Sequence, residues 1–281
     1  MVIAVASGKG GTGKTLVSTA LALAISDKPV QLIDCDVEEP NSHIFLKPRI
    51  ERIEKVCTPI PVIDETACTH CGECARVCQF NALAVLQKQV MVFENLCHGC
   101  GACMLACPED AISEKEREVG VIETGNSNGV KFAHGKLNIG EAMAPPVIRA
   151  LKKHIDRECE TVIDVSPGTS CPVIESVRDA DFVLLVTEPT PFGLNDLKLA
   201  VEMLQLLKLP CAVIVNRSGL GDSGVEDYCK AEGIPVILRI PFDEGIARGY
   251  SRGIPLVEIQ PEWRSKLREV YEYACANARK R

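Results

Sequence analysis

No stretch of this chain approaches the run of roughly 18 apolar residues that a membrane-spanning helix needs. The longest apolar stretches resemble Phe182 to Val186 and Ala212 to Val215. A secretory leader is not expected either, because Met1 to Ser7 reads as a strand running straight into a glycine-rich loop. The formal net charge is −7, and no basic patch of the kind that binds nucleic acid is present. A disulfide framework is excluded as well. Of the 15 cysteines, eight fall between Cys68 and Cys107 in two tight runs. Such clustering points to metal ligation in a reducing, cytoplasmic compartment. The other seven stand singly and read as small buried hydrophobes.

What is present suffices for one large domain and a small one: 281 residues, 46% of them apolar and 25% charged. Val2 to Ala6 is a buried-strand pattern closed by Ser7-Gly8. Thr15 to Ile25 carries Leu16, Ala20, Leu23 and Ala24 at helical spacing, and Val30 to Ile33 is a second apolar strand ending at Asp34. This order opens a parallel α/β sheet flanked by helices. It resumes later with strands at 161–165, 182–187, 211–215 and 236–240, and a helix over 194–207. Pro261 to Arg281 sets Trp263, Leu267, Val270, Tyr271 and Ala274 at helical spacing, as in an amphipathic helix docked on the domain.

The order is interrupted over residues 60–118. Pro59 and Pro61 precede the interruption, and the charged run Glu114 to Glu118 closes it. Residues 61–118 hold nine Asp/Glu against four Lys/Arg, a net of −5. Within the segment, Cys68 to Cys78 repeats as Cys97 to Cys107 at an offset of 29, each run reading Cys-x-x-Cys-x-x-Cys-x-x-x-Cys. An internally duplicated insertion reads as a small α+β domain, 60–118, set in a loop of a discontinuous larger one, 1–59 and 119–281.

Gly8-Lys-Gly-Gly-Thr-Gly-Lys-Thr15 fits the phosphate-binding pattern Gly-x4-Gly-Lys-Thr, between a strand and a helix as that motif requires. Gly8, Gly10, Gly11, Thr12 and Gly13 shape a loop whose N–H groups face phosphate oxygens, and the helix N-terminus adds its dipole. Lys14 is placed for the β- and γ-phosphates of ATP or ADP, and the Thr15 hydroxyl for Mg²⁺.

With Lys9 included, the loop resembles the deviant phosphate loop of the family containing MinD, ParA, the nitrogenase iron protein and the Mrp-type iron–sulfur carriers. The resemblance covers the chain outside the insertion. It implies an ATP-dependent homodimer in which Lys9 crosses to the partner's nucleotide and, with Lys14 and Asp36, serves hydrolysis. It implies further that Asp34 and Asp36 (switch I) and Asp164 (switch II) hold the Mg²⁺ shell, and that Gly168 senses the γ-phosphate. Asn216-Arg217 and Pro241-Phe242-Asp243 resemble the family's adenine loops. Cys171 lies where the iron protein has a bridging cysteine, but Asn138 to Pro146 has no second one, so Cys171 reads as packed.

The insertion is similar to bacterial-type two-cluster ferredoxins. That resemblance implies two [4Fe–4S] clusters with crossed ligation: Cys68, Cys71, Cys74 and Cys107 for one, Cys97, Cys100, Cys103 and Cys78 for the other. Gln79 stands where the usual proline would follow Cys78; Pro108 follows Cys107 as usual. His70 and His98 read as solvent-facing loop residues. The leading expectation is an ATPase whose nucleotide state gates electron transfer with an unnamed partner. A positioning ATPase with structural or redox-sensing clusters is the second. Cluster delivery is the third, against which the unpaired Cys275 weighs. A cobyrinate-type amidotransferase would need a glutaminase domain, which is lacking.

Overall fold

The computed structural model describes residues 1–279; Lys280 and Arg281 of the expected last helix lie outside the described residues. β1 (Val2–Ala6), α1 (Lys14–Ala24) and β2 (Val30–Asp34) open the chain, and both strands are buried along their whole length. That is why they read as unbroken apolar runs, as strands covered on two faces must. Between β1 and α1 the backbone turns at Gly11 (φ 80°) and Gly13 (φ 97°), conformations that favour glycine.

A short helix, α2 (Ser42–Leu46), then leads into β3 (Arg49–Ile63), a 15-residue strand absent from the sequence expectation. The Cys-rich segment follows with α3 (Glu73–Val77), β4 (Leu83–Val85), β5 (Val90–Val92) and α4 (Ala102–Leu105). β4 and β5 pair with each other as a separate two-stranded sheet. The chain returns through β6 (Ile112–Ser127) and β7 (Val130–Leu137). Alternation then resumes: α5 (Pro145–Lys152), β8 (Glu160–Asp164), α6 (Cys171–Val177), β9 (Phe182–Thr187), α7 (Pro191–Leu206), β10 (Cys211–Ser218). α8 (Gly224–Ala231), β11 (Val236–Pro241), α9 (Glu244–Ser251), α10 (Leu256–Ile259) and α11 (Trp263–Ala276) complete it.

The main sheet has nine strands in the order β11-β10-β9-β1-β8-β2-β7-β6-β3. It is parallel from β11 to β7, and β6 runs antiparallel to both its neighbours. On one face, Val147, Val173, Val201 and Val225 of α5 to α8 pack on Ala4, Ile33, Ile163 and Val213. On the other, Leu21 of α1, Leu256 of α10 and Leu267 of α11 pack on Ile3, Leu32, Phe182 and Ile214. The apolar stripe Trp263, Leu267, Val270, Tyr271 and Ala274 is buried there, so α11 is a docked helix. Among the described residues no helix is long and apolar enough to cross a membrane.

The register of β3, β6 and β7 fixes where the Cys-rich segment sits. Gly120 of β6 pairs with Leu137, the last residue of β7, and with Val56 of β3. Beyond that point β3 and β6 pair only with each other, out to Ile63 and Ile112. β7 runs parallel to β1 and β2, so it ends on the edge of the sheet that carries the glycine loop. The two-stranded ribbon therefore projects past that edge by roughly 23 Å, about seven residues at about 3.3 Å each. The expected boundaries at 60 and 118 fall inside these strands, and the compact Cys-rich unit occupies residues 64–111. The charged run Glu114 to Glu118 is ribbon strand, paired with Cys57 to Pro61. Pro59 and Pro61 are tolerated because β3 is the outermost strand.

Candidate functional site

At the C-terminal edge of the sheet a cavity of about 460 Å³ opens above the glycine loop. Gly10, Gly11, Gly13, Lys14 and Thr15 form its floor, and Asp36 stands on one wall. Asn216, Arg217, Pro241, Phe242 and Asp243 line the opposite wall, joined by Tyr250 of α9. The loop is clamped from outside. A Cβ on Gly8 would stand 2.1 Å from the Asp196 carbonyl oxygen, and one on Gly13 would stand 2.3 Å from Asn216 Nδ2. Asn216 Nδ2 donates to the Thr12 carbonyl at 2.8 Å, while its Oδ1 accepts the Arg217 N–H at 2.9 Å. The Thr12 hydroxyl is buried and unpartnered. Gly168, at φ 99°, donates its N–H to the Ser7 carbonyl at 2.9 Å, bringing the end of β8 against the loop.

The acids divide by position. Asp34 and Asp164 are register partners on β2 and β8, and both are buried. Asp34 accepts backbone N–H groups from Asp36 (3.0 Å), Asn41 (3.0 Å) and Ser42 (2.9 Å), so its carboxylate folds the loop after β2 back on itself. It does not line the cavity; Asp36, which the loop presents, does. Asp164 Oδ2 accepts the Ser42 hydroxyl at 2.9 Å, and the Thr15 and Ser18 hydroxyls face the same carboxylate. Burial raises all three carboxyls above the ordinary range, Asp36 to about 6 in spite of the opposing Lys14 charge. The same burial lowers the Lys14 ammonium, against the pull of Asp164, Asp36 and Asp34. An excess of buried acid beside one lysine is the electrostatic setting that a divalent cation relieves.

Lys9 points away from the cavity. Its Nζ lies 4.0 Å from Glu188 Oε2, and Glu188 Oε1 also accepts from Arg217 at 3.1 Å. Sequence reasoning passed over Glu188, which follows β9 as Asp34 ends β2. Asp243 caps α9, accepting the Ile246 N–H at 2.9 Å.

The Cys-rich unit has its own two-fold regularity. Gly72 and Gly101, 29 residues apart, both take positive φ at the starts of α3 and α4. So do His70 and Gly99, and Asn81 and Asp110. Cys78 Sγ accepts the Ala82 N–H and Cys107 Sγ the Ala111 N–H, each at 3.3 Å. Cys68, Cys71, Cys74 and Cys107 line one cavity, walled by Ile63, Val85, Val90 and Ile112. Cys97 packs with Cys78, Ile60 and Ala82. Burial raises the Cys74 and Cys103 thiols, so a metal must displace their protons on binding. Among the described residues no three His, Cys, Asp or Glu side chains converge to hold a metal ion; the four thiols stand around their cavity. His70 meets Glu65 at 3.1 Å, and the exposed His98 stacks on Phe80 at 3.6 Å. Of the seven single cysteines, all expected to be buried, Cys35, Cys159 and Cys229 are, Cys211 is half-buried, and Cys57 and Cys275 are exposed. Cys171, expected to pack, is exposed instead, because it opens α6 at the cavity-bearing edge.

A profile of the CobQ/CobB/MinD/ParA nucleotide binding domain matches residues 3–256. The chain belongs to that family. It is 32% identical over 276 residues to Uncharacterized protein MJ0578 of Methanocaldococcus jannaschii, covering 97% of this chain and 95% of that one. An iron-sulfur cluster carrier protein of the same organism is 30% identical over 112 residues, which is 34% of this chain and 39% of the relative. Among solved structures, the septum site-determining protein MinD of Pyrococcus horikoshii OT3, complexed with Mg-ADP, aligns with a TM-score of 0.58. That alignment has 21% identity and covers 97% and 96% of the two chains, so it establishes the shared fold.

In this member of the MinD/ParA family the nucleotide face also bears Ile139, Phe192, Leu220 and Phe242, large apolar side chains exposed after β7, β9, β10 and β11. Periodicity could not have flagged them, since Phe192 lies in the first turn of α7 and the other three stand alone in loops. Tyr250 was missed for another reason: it is a helix residue that only the return of α9 brings to the cavity.

Proposed function

We propose that this protein is an ATPase of the MinD/ParA kind whose ATP-dependent pairing gates one-electron transfer through two [4Fe–4S] clusters in the Cys-rich unit. One observation carries the cluster reading: Cys107, from the second repeat, lines the same cavity as Cys68, Cys71 and Cys74 from the first. This is the crossed set that two-cluster ferredoxins use, and the N–H groups of Ala82 and Ala111 on the two crossing sulfurs support it. Cys78, Cys97, Cys100 and Cys103 are the second set. Clusters so held supply one-electron transfer. The chain's part is to exclude water with Ile63, Val85 and Ile112 and to fix the sulfurs on two short helices.

In the nucleotide site Lys14 and the loop N–H groups bind the phosphates. Thr15, Asp36 and Asp164 hold Mg²⁺ and its waters, with Asp34 fixing the loop that presents Asp36. Asp36 orients the attacking water. Asn216, Arg217, Pro241, Phe242 and Asp243 receive the base, and Gly168 follows the γ-phosphate. Lys9 leaves Glu188 and reaches the partner's phosphates, where its charge offsets charge developing on the γ-oxygens. The exposed apolar side chains of the nucleotide face suit a second copy.

Anaerobic purification followed by iron and sulfide analysis tests the reading, with about eight of each expected per chain. Cys107→Ser is expected to remove the same reducible signal as Cys71→Ser, and Cys78→Ser the same as Cys100→Ser. Zinc in place of iron, or uncrossed pairing, would overturn it. Cluster delivery is the second reading, favoured by the partial likeness to iron-sulfur cluster carriers. Loss of iron to an apo-ferredoxin on ATP addition would select it over electron transfer.

A further inference from the structure

Alternate residues of β3 and β6 face opposite sides of the ribbon, and cross-strand partners share a side. Thr58 pairs with Arg117 and Ile60 with Lys115, so these four face one way. The Cys-rich unit lies on that side. Ile60 packs with Cys97 and Cys78, and a Cβ on Gly99 would meet Thr58 Cγ2. Arg117 therefore stands on the side that carries the second thiol set, on the half of the ribbon nearer the sheet. The first set lies farther out, against Ile63 and Ile112 at the tip.

The two sets differ in the charge around them. The cavity of the first is lined by Glu73 and Glu109 and by no lysine or arginine. Beside the second is a guanidinium, that of Arg117, whose side chain is only 14% exposed and whose Nε is buried with no hydrogen-bond partner. Both terminal nitrogens donate to Glu141, Nη2 to Oε2 at 3.0 Å. Hydrogen bonding to Glu141 holds the cation in its charged form, and Glu94 and the Cys97 sulfur add to that pull. Glu141 belongs to neither the ribbon nor the unit. It lies in the loop after β7, two residues from the exposed Ile139 of the nucleotide face. Lys115 also faces the unit, but it is 57% exposed and paired with Glu94, so solvent screens it.

We propose that Arg117 sets the potential of the second cluster above that of the first, and that Glu141 limits how far. The inference rests on the cluster reading above. A one-electron reduction adds negative charge to a group that is already anionic, and a partly buried cation beside it favours the reduced form. Glu141 offsets part of that cation's charge. An electron entering either set then comes to rest on the one nearer the nucleotide edge, beside an ion pair whose acid belongs to that edge.

The test is an anaerobic redox titration, with dithionite as the electron donor and electron paramagnetic resonance as the readout. It compares wild type with Arg117→Gln, Arg117→Lys and Glu141→Gln. Wild type should show two one-electron midpoints, the higher being the one that Cys100→Ser removes. Arg117→Gln should lower that midpoint by about 59 mV, a tenfold change in the ratio of reduced to oxidised cluster, and Glu141→Gln should raise it by about as much. Arg117→Lys, which keeps the charge, should leave it nearly in place. The other midpoint, which Cys71→Ser removes, should stay fixed throughout. A brace with no electrostatic role would move the midpoint the same way in both Gln variants or not at all, and either result overturns the proposal. Should Arg117→Gln fail to fold, the sign of the Glu141→Gln shift decides it. A higher midpoint that Cys71→Ser removes overturns the proposal too, and leaves the cluster reading standing. A protein that binds no iron overturns both.

Discussion

In the sheet, Ile3, Leu32, Ile163 and Leu184 are wholly buried between two layers of helices, with Phe132 and Phe182 beside them. In the Cys-rich unit, the larger buried cluster is Leu83, Val90 and Ile112 with two cysteines, Cys74 and Cys103. Two regions of one chain thus use different glue. Each large side chain buried in the sheet contributes about 1.5–3 kcal/mol. The smaller unit, about 50 residues, falls in the range where a hydrophobic core alone is marginal. Its thiols occupy the places where a larger domain would set leucines. On the proposed reading a cofactor site and a core are the same object there, whereas the nucleotide cavity is a cleft in a scaffold that stands without it.

Iron removal should break the pair most sharply. Treating the anaerobic protein with a chelator under oxidising conditions should abolish amide protection throughout 64–111, while protection in β1, β8 and β9 and ADP affinity change less than about twofold. Hydrogen exchange read by mass spectrometry checks both halves at once; equal loss in both would show that one core serves the whole chain.

Next in size are the loop lysines. Lys14→Ala should weaken ADP binding by about 100-fold or more, and leave the cluster spectrum intact. Lys9→Ala should bind ADP normally but lose about 100-fold in ATP hydrolysis and most ATP-dependent dimerisation. Calorimetry and sedimentation would separate the two, and a Lys9→Ala monomer with full activity would remove the pairing step.

Gly99 sharpens the comparison inside the small unit. Its φ is +63°, and a Cβ there would stand 2.7 Å from Thr58 Cγ2 and 2.9 Å from the Pro59 carbonyl oxygen. The equivalent place in the first repeat carries His70 at φ 55°, with its side chain free to meet Glu65. Gly99→Ala should loosen the unit from the ribbon by about 2 kcal/mol, seen as faster exchange in 57–63, whereas His70→Gly should leave that exchange unchanged.

The smallest effect concerns Asp36. Its folded pKa is raised to about 6, chiefly by burial, so the folded apoprotein binds a proton that the unfolded chain has released. Stability therefore falls as pH rises from about 4 through 6. Asp36→Asn should stabilise the apoprotein by on the order of 1 kcal/mol at pH 8 and by nothing below pH 4. In wild type, kcat/KM for ATP should fall away on the acid side near pH 6, where the carboxylate proposed to orient water becomes protonated.

How much of this was legible follows from how each strand is buried. β1, β2, β8, β9 and β10 are covered on two faces or nearly so, and their apolar runs, with that of the half-buried edge strand β11, named them within a residue or three. β3 did not announce itself. Ile50, Ile53 and Val56 recur every third residue among charges, a spacing that suits neither a strand nor a helix face. Pro59 and Pro61 argue against a strand wherever both edges are paired. Only its outermost position allows that sequence, and position in a sheet is a tertiary fact. The charged run 114–118 misled for the same reason, since a ribbon clear of the sheet keeps its charges in water. The phosphate loop was readable because its spacing is fixed by the ligand's shape, as was the duplicated cysteine pattern. Glu188, Tyr250 and Ser42 were not, because each acquires its place only when separate loops meet.

Mechanically, the ribbon is a cantilever. Its root is braced by the Arg117–Glu141 ion pair and by Asn138, which gives its N–H to the Val119 carbonyl at 3.0 Å. From Thr58 and Arg117 outward, the two strands are paired only with each other for roughly 17 Å, with the Cys-rich unit seated along them at Thr58, Pro59 and Ile60. A tilt of about 10° at the root swings the tip by about 3 Å at that reach, although no bond in the ribbon itself need change. Small adjustments around the nucleotide thus become displacements on the scale of a side chain at the far end, and the beam's length sets the gain.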